Sequence, residues 1–255
     1  MIKKAPTLLL IETSTDVCSV ALSNGLTLID QIISHEPRAH ASIISVITEE
    51  LLNRSKISLE MCDAIAVSEG PGSYTGLRVG VSFAKGLCYG ASKPLIAVGS
   101  LTLLATLAIA QINKDSQKTI STESIDTTTI LPMIDARRME VYTAAYSTTE
   151  ERRSSIKALT PVKAVVVDSD SFSAQLQKGR VFFCGDGSSK VAEIINHPNA
   201  KFLNIEALAQ GMIPTAVGKY ENREFEDVAY FEPFYLKDFI AGVSKKNLLQ
   251  TLQKK

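Results

Sequence analysis

Neither sign of charge is in excess in this 255-residue sequence, in which 27 Lys and Arg stand against 27 Asp and Glu. A protein that grips a nucleic-acid backbone by itself normally carries a basic excess, so the balance disfavours that class. No stretch approaches the roughly 20 apolar residues of a membrane helix. The apolar run Leu8–Ile11 is also too short for a signal peptide. We therefore expect a soluble, cytoplasmic protein with no membrane partner.

Cysteine and histidine are scarce, and their spacing fits no known metal site. The four cysteines have no C-x-x-C pair, which favours buried free thiols over a metal site or disulfides. His35 and His40 are five residues apart, so on one helix they would not converge as i, i+4 ligands do. No G-x-S-x-G nucleophile motif is present. The sequence predicts no metal site and no catalytic residue.

Glycine, in contrast, is concentrated in residues 68–90, which hold six of the 14 glycines. Gly70–Gly72 predicts a tight turn after a buried strand at 64–67, and Ser73 is placed to cap a helix that begins near Tyr74. Small residues then recur every four positions on one helix face, namely Gly76, Gly80, Ala84 and Cys88. Glycine costs about 1 kcal/mol relative to alanine in a helix, so another backbone should approach this face. That backbone belongs either to the chain's own sheet or to a partner's helix.

The hydrophobic periodicity predicts a mixed α/β protein with two lobes. Strands are predicted at 7–11, 17–22, 26–33, 64–67, 94–98, 130–134, 141–146, 164–167 and 181–184. Helices are predicted at 38–53, 74–89, 101–112 and near 171–177, 190–195 and 206–220. The polar stretch 114–129 is interpreted as an exposed loop, and residues 245–255 as an amphipathic tail.

Two hydroxyl- or glycine-rich turns are candidates for binding phosphate. The first comprises Glu12, Thr13, Ser14 and Thr15, where backbone amides would cradle phosphate and the acid would hold hydrated magnesium. The second comprises Gly185, Asp186 and Gly187, which follow a strand and open a helix. Both turns are equally compatible with a purely structural role. Asp135, Arg137 and Arg138 form either a polar site at a strand end or a solvated hairpin.

Several of these segments together closely resemble the TsaB (YeaZ) family, which takes part in making threonylcarbamoyladenosine in tRNA. The residues that carry the resemblance are 11–15, 70–80, 100–101, 134–138, 185–187 and 233–237. The resemblance implies an actin-like ATPase (ASKHA) fold of two α/β subdomains, residues 1–105 and 106–255. It leaves room for the helix near 206–220 to pack back on the first subdomain.

The resemblance also implies a function. It implies a non-catalytic scaffold subunit that binds and activates a TsaD-type transferase directly, contacts a TsaE-type ATPase within the complex and reaches tRNA only through that complex. No cofactor is expected for this chain, with ATP, ADP and magnesium confined to the assembled complex, and a homodimer is expected when the chain is alone. The helices 40–53 and 74–89 are the expected interface, with the residues His40, Ile43, Ile44, Ile47, Leu51, Gly76, Leu77, Gly80, Val81, Ala84 and Cys88.

Two other function classes remain as alternatives. An active ATPase or small-molecule kinase on the same fold would need Glu12 to do what an aspartate usually does in such enzymes. A metallopeptidase would need a histidine pair of the H-x-x-x-H type, which is absent from the sequence.

Overall fold

The first half of the chain forms a five-stranded sheet around a fully buried central strand. In a computed structural model, which describes residues 4–118, 128–149 and 152–237, the strands run in the order β3-β2-β1-β4-β5. Their bounds are β1 Thr7–Glu12, β2 Cys18–Asn24, β3 Thr27–Ser34, β4 Ala64–Gly70 and β5 Leu95–Gly99. The first three are antiparallel, whereas β1, β4 and β5 are parallel. The apolar run of β1 is buried on both faces, as suits the middle of a sheet covered on both sides.

The second half repeats this path. After β6 (Thr129–Asp135) and β7 (Glu140–Thr143), a hairpin of β8 (Tyr146–Thr149) and β9 (Arg152–Ala158) is inserted. The chain then returns to β10 (Lys163–Val166), β11 (Val181–Cys184) and β12 (Ala200–Leu203). The order β10-β7-β6-β11-β12 has the same succession of antiparallel and parallel pairs as the first sheet. One unit is thus built twice, and the actin-like fold with two α/β subdomains is confirmed.

Helices separate and cover the two sheets. Their bounds are α1 His40–Ser55, α2 Tyr74–Ala91, α3 Ser100–Lys118, α4 Ser173–Leu176, α5 Ser188–Ala192 and α6 Ile213–Asn222, with 3-10 turns at Leu59–Met61 and Ala209–Met212. Helices α1 and α2 cover the outer face of the first sheet, and α4 and α5 cover that of the second. Helix α3 lies between the sheets and contributes to one core with residues of both, so the two subdomains share apolar contacts.

The C-terminal part of the chain packs on the first subdomain. The backbone N–H of Ala209 donates to Ser19 Oγ at 2.9 Å, and Lys219 Nζ donates to the Ala97 carbonyl at 2.9 Å. Residues 225–237, the C-terminal strap, then run along the edge of β5 and past the start of α2. At its end Lys237 pairs with Glu140 of the second subdomain. The strap therefore touches both subdomains.

Several boundaries differ from those expected. The predicted division at 105/106 falls inside α3, which continues to Lys118, so residues 114–118 are helix and not loop. The helix continues through polar residues because a helical turn exposed to solvent needs no repeating apolar side chains. Gln111 Nε2 donates to Asp115 Oδ2, one turn further along the helix, at 2.8 Å. The segment 141–146 is split between β7 and β8, and the helix near 206–220 is a 3-10 turn followed by α6. Residues 119–127 and the predicted tail 245–255 lie outside the described residues.

In the described part of the chain, no helix is long and apolar enough to cross a membrane.

Candidate functional site

The turn that follows β1 lies beneath the beginning of α2. Because β1 and β4 are parallel neighbours, the turn Glu12–Thr15 and the loop Gly70–Ser73 leave the sheet at the same edge. The two are joined by a hydrogen bond from Ser73 N to the Ser14 carbonyl at 2.7 Å. Ser73 also caps α2 as predicted, accepting from Gly76 N at 3.3 Å. The turn is thereby fixed between the sheet and the helix.

The small-residue face of α2 is packed on this turn and on the sheet behind it. A Cβ atom at Gly76 would overlap the Thr13 carbonyl oxygen, and one at Gly80 would overlap the Thr13 side chain. Ala84 and Cys88 continue the same face and are fully buried. Of the two explanations for the glycines, close approach within the chain is therefore correct.

Most residues expected at a partner interface are for this reason inside the protein. The buried ones are Ile44, Ile47, Leu51, Gly76, Leu77, Gly80, Val81, Ala84 and Cys88. His40 and Ile43 are half-buried, and His40 Nε2 lies 2.9 Å from the Thr15 carbonyl oxygen. The apolar faces of α1 and α2 cover the first sheet, so the buried residues of this set belong to the core of the chain, whereas His40 and Ile43 remain partly exposed.

Glu12 is completely buried in the turn. Its Oε1 accepts the backbone N–H of Ser14 at 2.5 Å, whereas Oε2 has no hydrogen-bond partner among the described residues. The hydroxyls of Thr13, Ser14 and Thr15 are likewise buried. Burial raises the pKa of Glu12, and hydrogen bonds from Ser14 and Ser68 lower it by less. A carboxyl in this environment favours its protonated form.

This geometry does not fit the phosphates of a nucleotide. A phosphate-binding turn must present donors to solvent, and a magnesium-binding acid must reach a hydrated ion. The side chains of Glu12, Thr13 and Ser14 are fully buried, and Gly76 and Gly80 of α2 fill the space beside Thr13. The burial of these side chains favours the structural role of the turn at 12–15 over a phosphate site there.

The second candidate turn is joined to the hairpin between β6 and β7. Asp186 Oδ1 accepts the backbone N–H of Asp135 at 3.0 Å, so the two predicted polar segments do meet. Lys190 Nζ donates to Asp135 Oδ1 at 2.8 Å and to the Glu140 carbonyl at 2.6 Å. These contacts fix the hairpin end. Arg137 and Arg138 project from it, at positive φ values of 70° and 51°.

The two turns face the same side of the molecule, but what they bring together is acidic. Partial burial raises the pKa of Asp186, and the nearby charges of Asp135 and Asp16 raise it further. Asp16 follows the first turn, so three carboxylates lie on this side, and one of them, Asp135, is paired with Lys190 at 2.8 Å. Among residues 4–118, 128–149 and 152–237, no group of three His, Cys, Asp or Glu side chains is arranged to hold a metal ion.

A surface that sequence reasoning missed lies on the solvent side of α2. Ser82, Gly86 and Gly90 form a second stripe of small residues, and a Cβ atom at Gly86 or Gly90 would meet no atom within 4 Å. Tyr89 beside them is 85% exposed, and Val46 on α1 is 58% exposed. We define these five residues as the outer face. The sequence could have indicated this surface. Gly86 and Gly90 do not fall on the four-residue repeat of Gly76 and Gly80, so they lie on a different side of the helix.

The two glycine stripes allow a matched test of packing. Gly76→Ala should lower the free energy of unfolding by about 1–3 kcal/mol, because the new methyl overlaps a backbone carbonyl that cannot move away easily. Gly86→Ala is the same change in the same helix, and it should raise stability by about 1 kcal/mol because nothing crowds the methyl. Chemical denaturation of both variants measures the difference. Equal effects of the two substitutions would contradict the packing described here.

The buried carboxyl of Glu12 predicts an unusual dependence of stability on pH. Its pKa is raised in the folded state, so the folded protein holds the proton more tightly than the unfolded chain. The free energy of unfolding should therefore fall as pH rises from the unfolded pKa, near 4.5, through the folded one. The neutral variant Glu12→Gln should remove that loss. At high pH the free energy of unfolding of this variant should exceed that of the parent. The difference should be roughly 1.4 kcal/mol for each tenfold increase in the proton affinity of Glu12 on folding.

The measurement is denaturation of the parent and Glu12→Gln from pH 4 to pH 9. Glu49→Gln, an exposed change on α1, is the control for loss of one negative charge. If Glu12→Gln is no more stable relative to the parent at pH 8 than at pH 5, the carboxyl is not desolvated as described.

Comparisons with known proteins agree on one family. The family model described as "TsaD: tRNA N6-adenosine threonylcarbamoyltransferase" matches residues 29–253. The tRNA threonylcarbamoyladenosine biosynthesis protein TsaB of Escherichia coli K12 is 30% identical over 238 residues, which cover 92% of this chain and 96% of that protein. The tRNA N6-adenosine threonylcarbamoyltransferase of Fervidobacterium nodosum is 36% identical, but over 36% of this chain and 32% of its own length.

A solved structure extends the agreement to the fold. YeaZ from Pseudomonas aeruginosa superposes with a TM-score of 0.74 at 25% identity, covering 91% of this chain and all of that one. The Fervidobacterium nodosum transferase thus matches one segment of this chain, whereas the TsaB and YeaZ relatives match nearly all of it. The chain belongs to the TsaB (YeaZ) family.

Proposed function

We propose that this chain is a non-catalytic subunit of the machinery that makes threonylcarbamoyladenosine in tRNA, where it binds and activates a TsaD-type transferase directly. The family supports the pathway, because relatives that match over nearly the full length are named as biosynthesis proteins of this nucleoside. The single structural observation that carries the proposal is the outer face of α1 and α2.

The outer face has the properties of a helix-packing surface without a partner. Glycine at 86 and 90 costs about 1 kcal/mol each in the helix, and no internal neighbour requires it. A helix from another chain can approach the backbone closely there, as small residues allow. Tyr89 on α2 and Val46 on α1 add exposed apolar area, and aromatic residues are enriched at interface centres. In the absence of the transferase, the same face pairs with its own copy by two-fold symmetry, giving a homodimer.

The remaining features support a scaffold role. The burial of the Glu12 turn between β1 and α2 supports a chain that works without a cofactor of its own. ATP, ADP and magnesium belong to the assembled complex, in which a TsaE-type ATPase also binds. Because its basic and acidic residues balance, this chain would release few counterions from tRNA on binding and so gain little affinity from that release. The tRNA is therefore held through the complex and not by this chain alone. The site of action is the cytoplasm, where tRNA is modified.

The alternative of an active ATPase or small-molecule kinase requires Glu12 to hold a hydrated ion, and the burial of this residue disfavours it. The purified chain should therefore show no ATP turnover above background and no heat of binding with magnesium and ATP. Turnover that persists through purification and is lost in Glu12→Gln would establish the alternative. The same assay on the complex assembled with the transferase and the TsaE-type ATPase serves as the positive control.

The partner-binding role predicts which substitution breaks the complex. Gly86→Leu should weaken binding of the TsaD-type protein from the same cell about 5- to 150-fold, because overpacking a close helix contact costs roughly 1–3 kcal/mol. The matched control is Gly218→Leu on α6, where a Cβ atom also meets no atom within 4 Å. Calorimetric titration and co-elution measure the effect, and sedimentation of the free chain measures self-association.

The expected pattern is specific. Gly86→Leu should leave the melting temperature unchanged or higher while it weakens both the complex and the homodimer, and Gly218→Leu should leave both intact. Unaltered binding by Gly86→Leu would exclude the outer face as the contact surface.

A further inference from the structure

A cavity separate from the Glu12 turn opens between the two subdomains. It has a volume of about 410 Å³ and lies where β4 and β5 end, between α3, α6, β8 and the C-terminal strap. Its principal lining residues are Glu69, Leu101, Thr102, Tyr146, Lys219 and Phe234. At about 30 Å³ for each water-sized group, this space holds roughly a dozen such groups. A small metabolite therefore fits in this space.

Glu69 supplies a negative charge that the protein does not satisfy. No hydrogen bond reaches its carboxylate from any residue in the described ranges, although the backbone of Glu69 is fixed by Phe234 N at 2.7 Å. The pKa of Glu69 is raised overall, because burial raises it more than the charge of Lys219 lowers it, and the charge of Glu226 raises it as well. A half-enclosed carboxylate without a donor is a strong acceptor for a charged N–H group of a ligand.

Lys219 supplies the opposite charge and is held apart from Glu69. Its ammonium donates to the Ala97 carbonyl at 2.9 Å, which fixes its position and uses one of its three N–H groups. No ion pair of 4 Å or less joins it to Glu69 in the described structure, although the two are close enough to influence each other. The cavity thus has an anion and a cation that do not neutralise each other by contact.

The walls between the two charges are mainly apolar. Leu101, Val162 and Phe234 line the space, and the hydroxyls of Tyr146 and Thr102 lie 3.2 Å apart and bond one another. Such a lining favours a short hydrocarbon portion in the ligand beside its charged groups.

We propose that this cavity is a binding site for a small zwitterion, whose ammonium group pairs with Glu69 and whose carboxylate pairs with Lys219. The site is independent of the outer face and of the partner-binding role, so either proposal can fail alone.

The test uses the full chain and two zwitterions that differ in the spacing of their charges, L-valine and 4-aminobutyrate. Butylamine and butyrate, which each carry one of the two charges, are the ligand controls. Calorimetric titration should show that at least one zwitterion binds about tenfold or more tightly than either control, because a single charge-assisted contact is worth that much.

Two variants locate the binding. Glu69→Gln keeps the shape and removes the charge, and it should weaken the zwitterion about tenfold or more. Thr215→Phe keeps both charges and fills the cavity, and it should abolish binding. Glu221→Gln, an exposed change on α6, should have no effect. Melting curves confirm that each variant is folded, and binding of the TsaD-type protein should be unchanged in all three.

The proposal is overturned if neither zwitterion binds at about 10 mM, the weak limit for a small ligand. Equal binding of butylamine or butyrate would also overturn it, as would full affinity in Glu69→Gln or Thr215→Phe.

Discussion

The packing of Gly76 and Gly80 on Thr13 is the contact on which the rest of this structure depends. Because α2 comes so close to the sheet, the turn after β1 has no room for a ligand, and Glu12 is held away from water. The same contact orients α2, so that its solvent side carries glycines that nothing else in the described chain uses. The closed turn and the open helix face are therefore two results of one close approach.

Much of the fold could be predicted because hydrophobic patterns report local burial. The run at β1, the alternation of strands and helices and the Ser73 cap all appear in the structure near their expected residues. Short or polar elements could not be predicted, because β9 and β12 owe their pairing to neighbouring strands and not to a pattern of their own. The continuation of α3 past Ile112 was missed for a similar reason, since an exposed helical turn leaves no apolar period.

The candidate site shows a different limit. Composition identified the glycines of α2 as a place of close approach, but a sequence cannot say which chain supplies the approaching backbone. Two stripes on different sides of one helix, Gly76 with Gly80 and Gly86 with Gly90, take opposite roles in the structure. The cavity beside Glu69 was not predicted at all, because its lining comes from several elements that meet only after folding. Glu69 and Lys219 come to line the same cavity only in the folded chain, so their spacing in the sequence does not reveal it.

The duplication of the unit gives the two halves unequal freedom to change in evolution. The turn after β1 lies under the 18 residues of α2, whereas the corresponding turn after β6 has only the five residues of α5 nearby. Side chains at 13–15 are constrained by packing on every side, while Arg137 and Arg138 extend toward solvent. Substitutions should therefore be tolerated more readily at the exposed hairpin of the second unit than in the buried turn of the first.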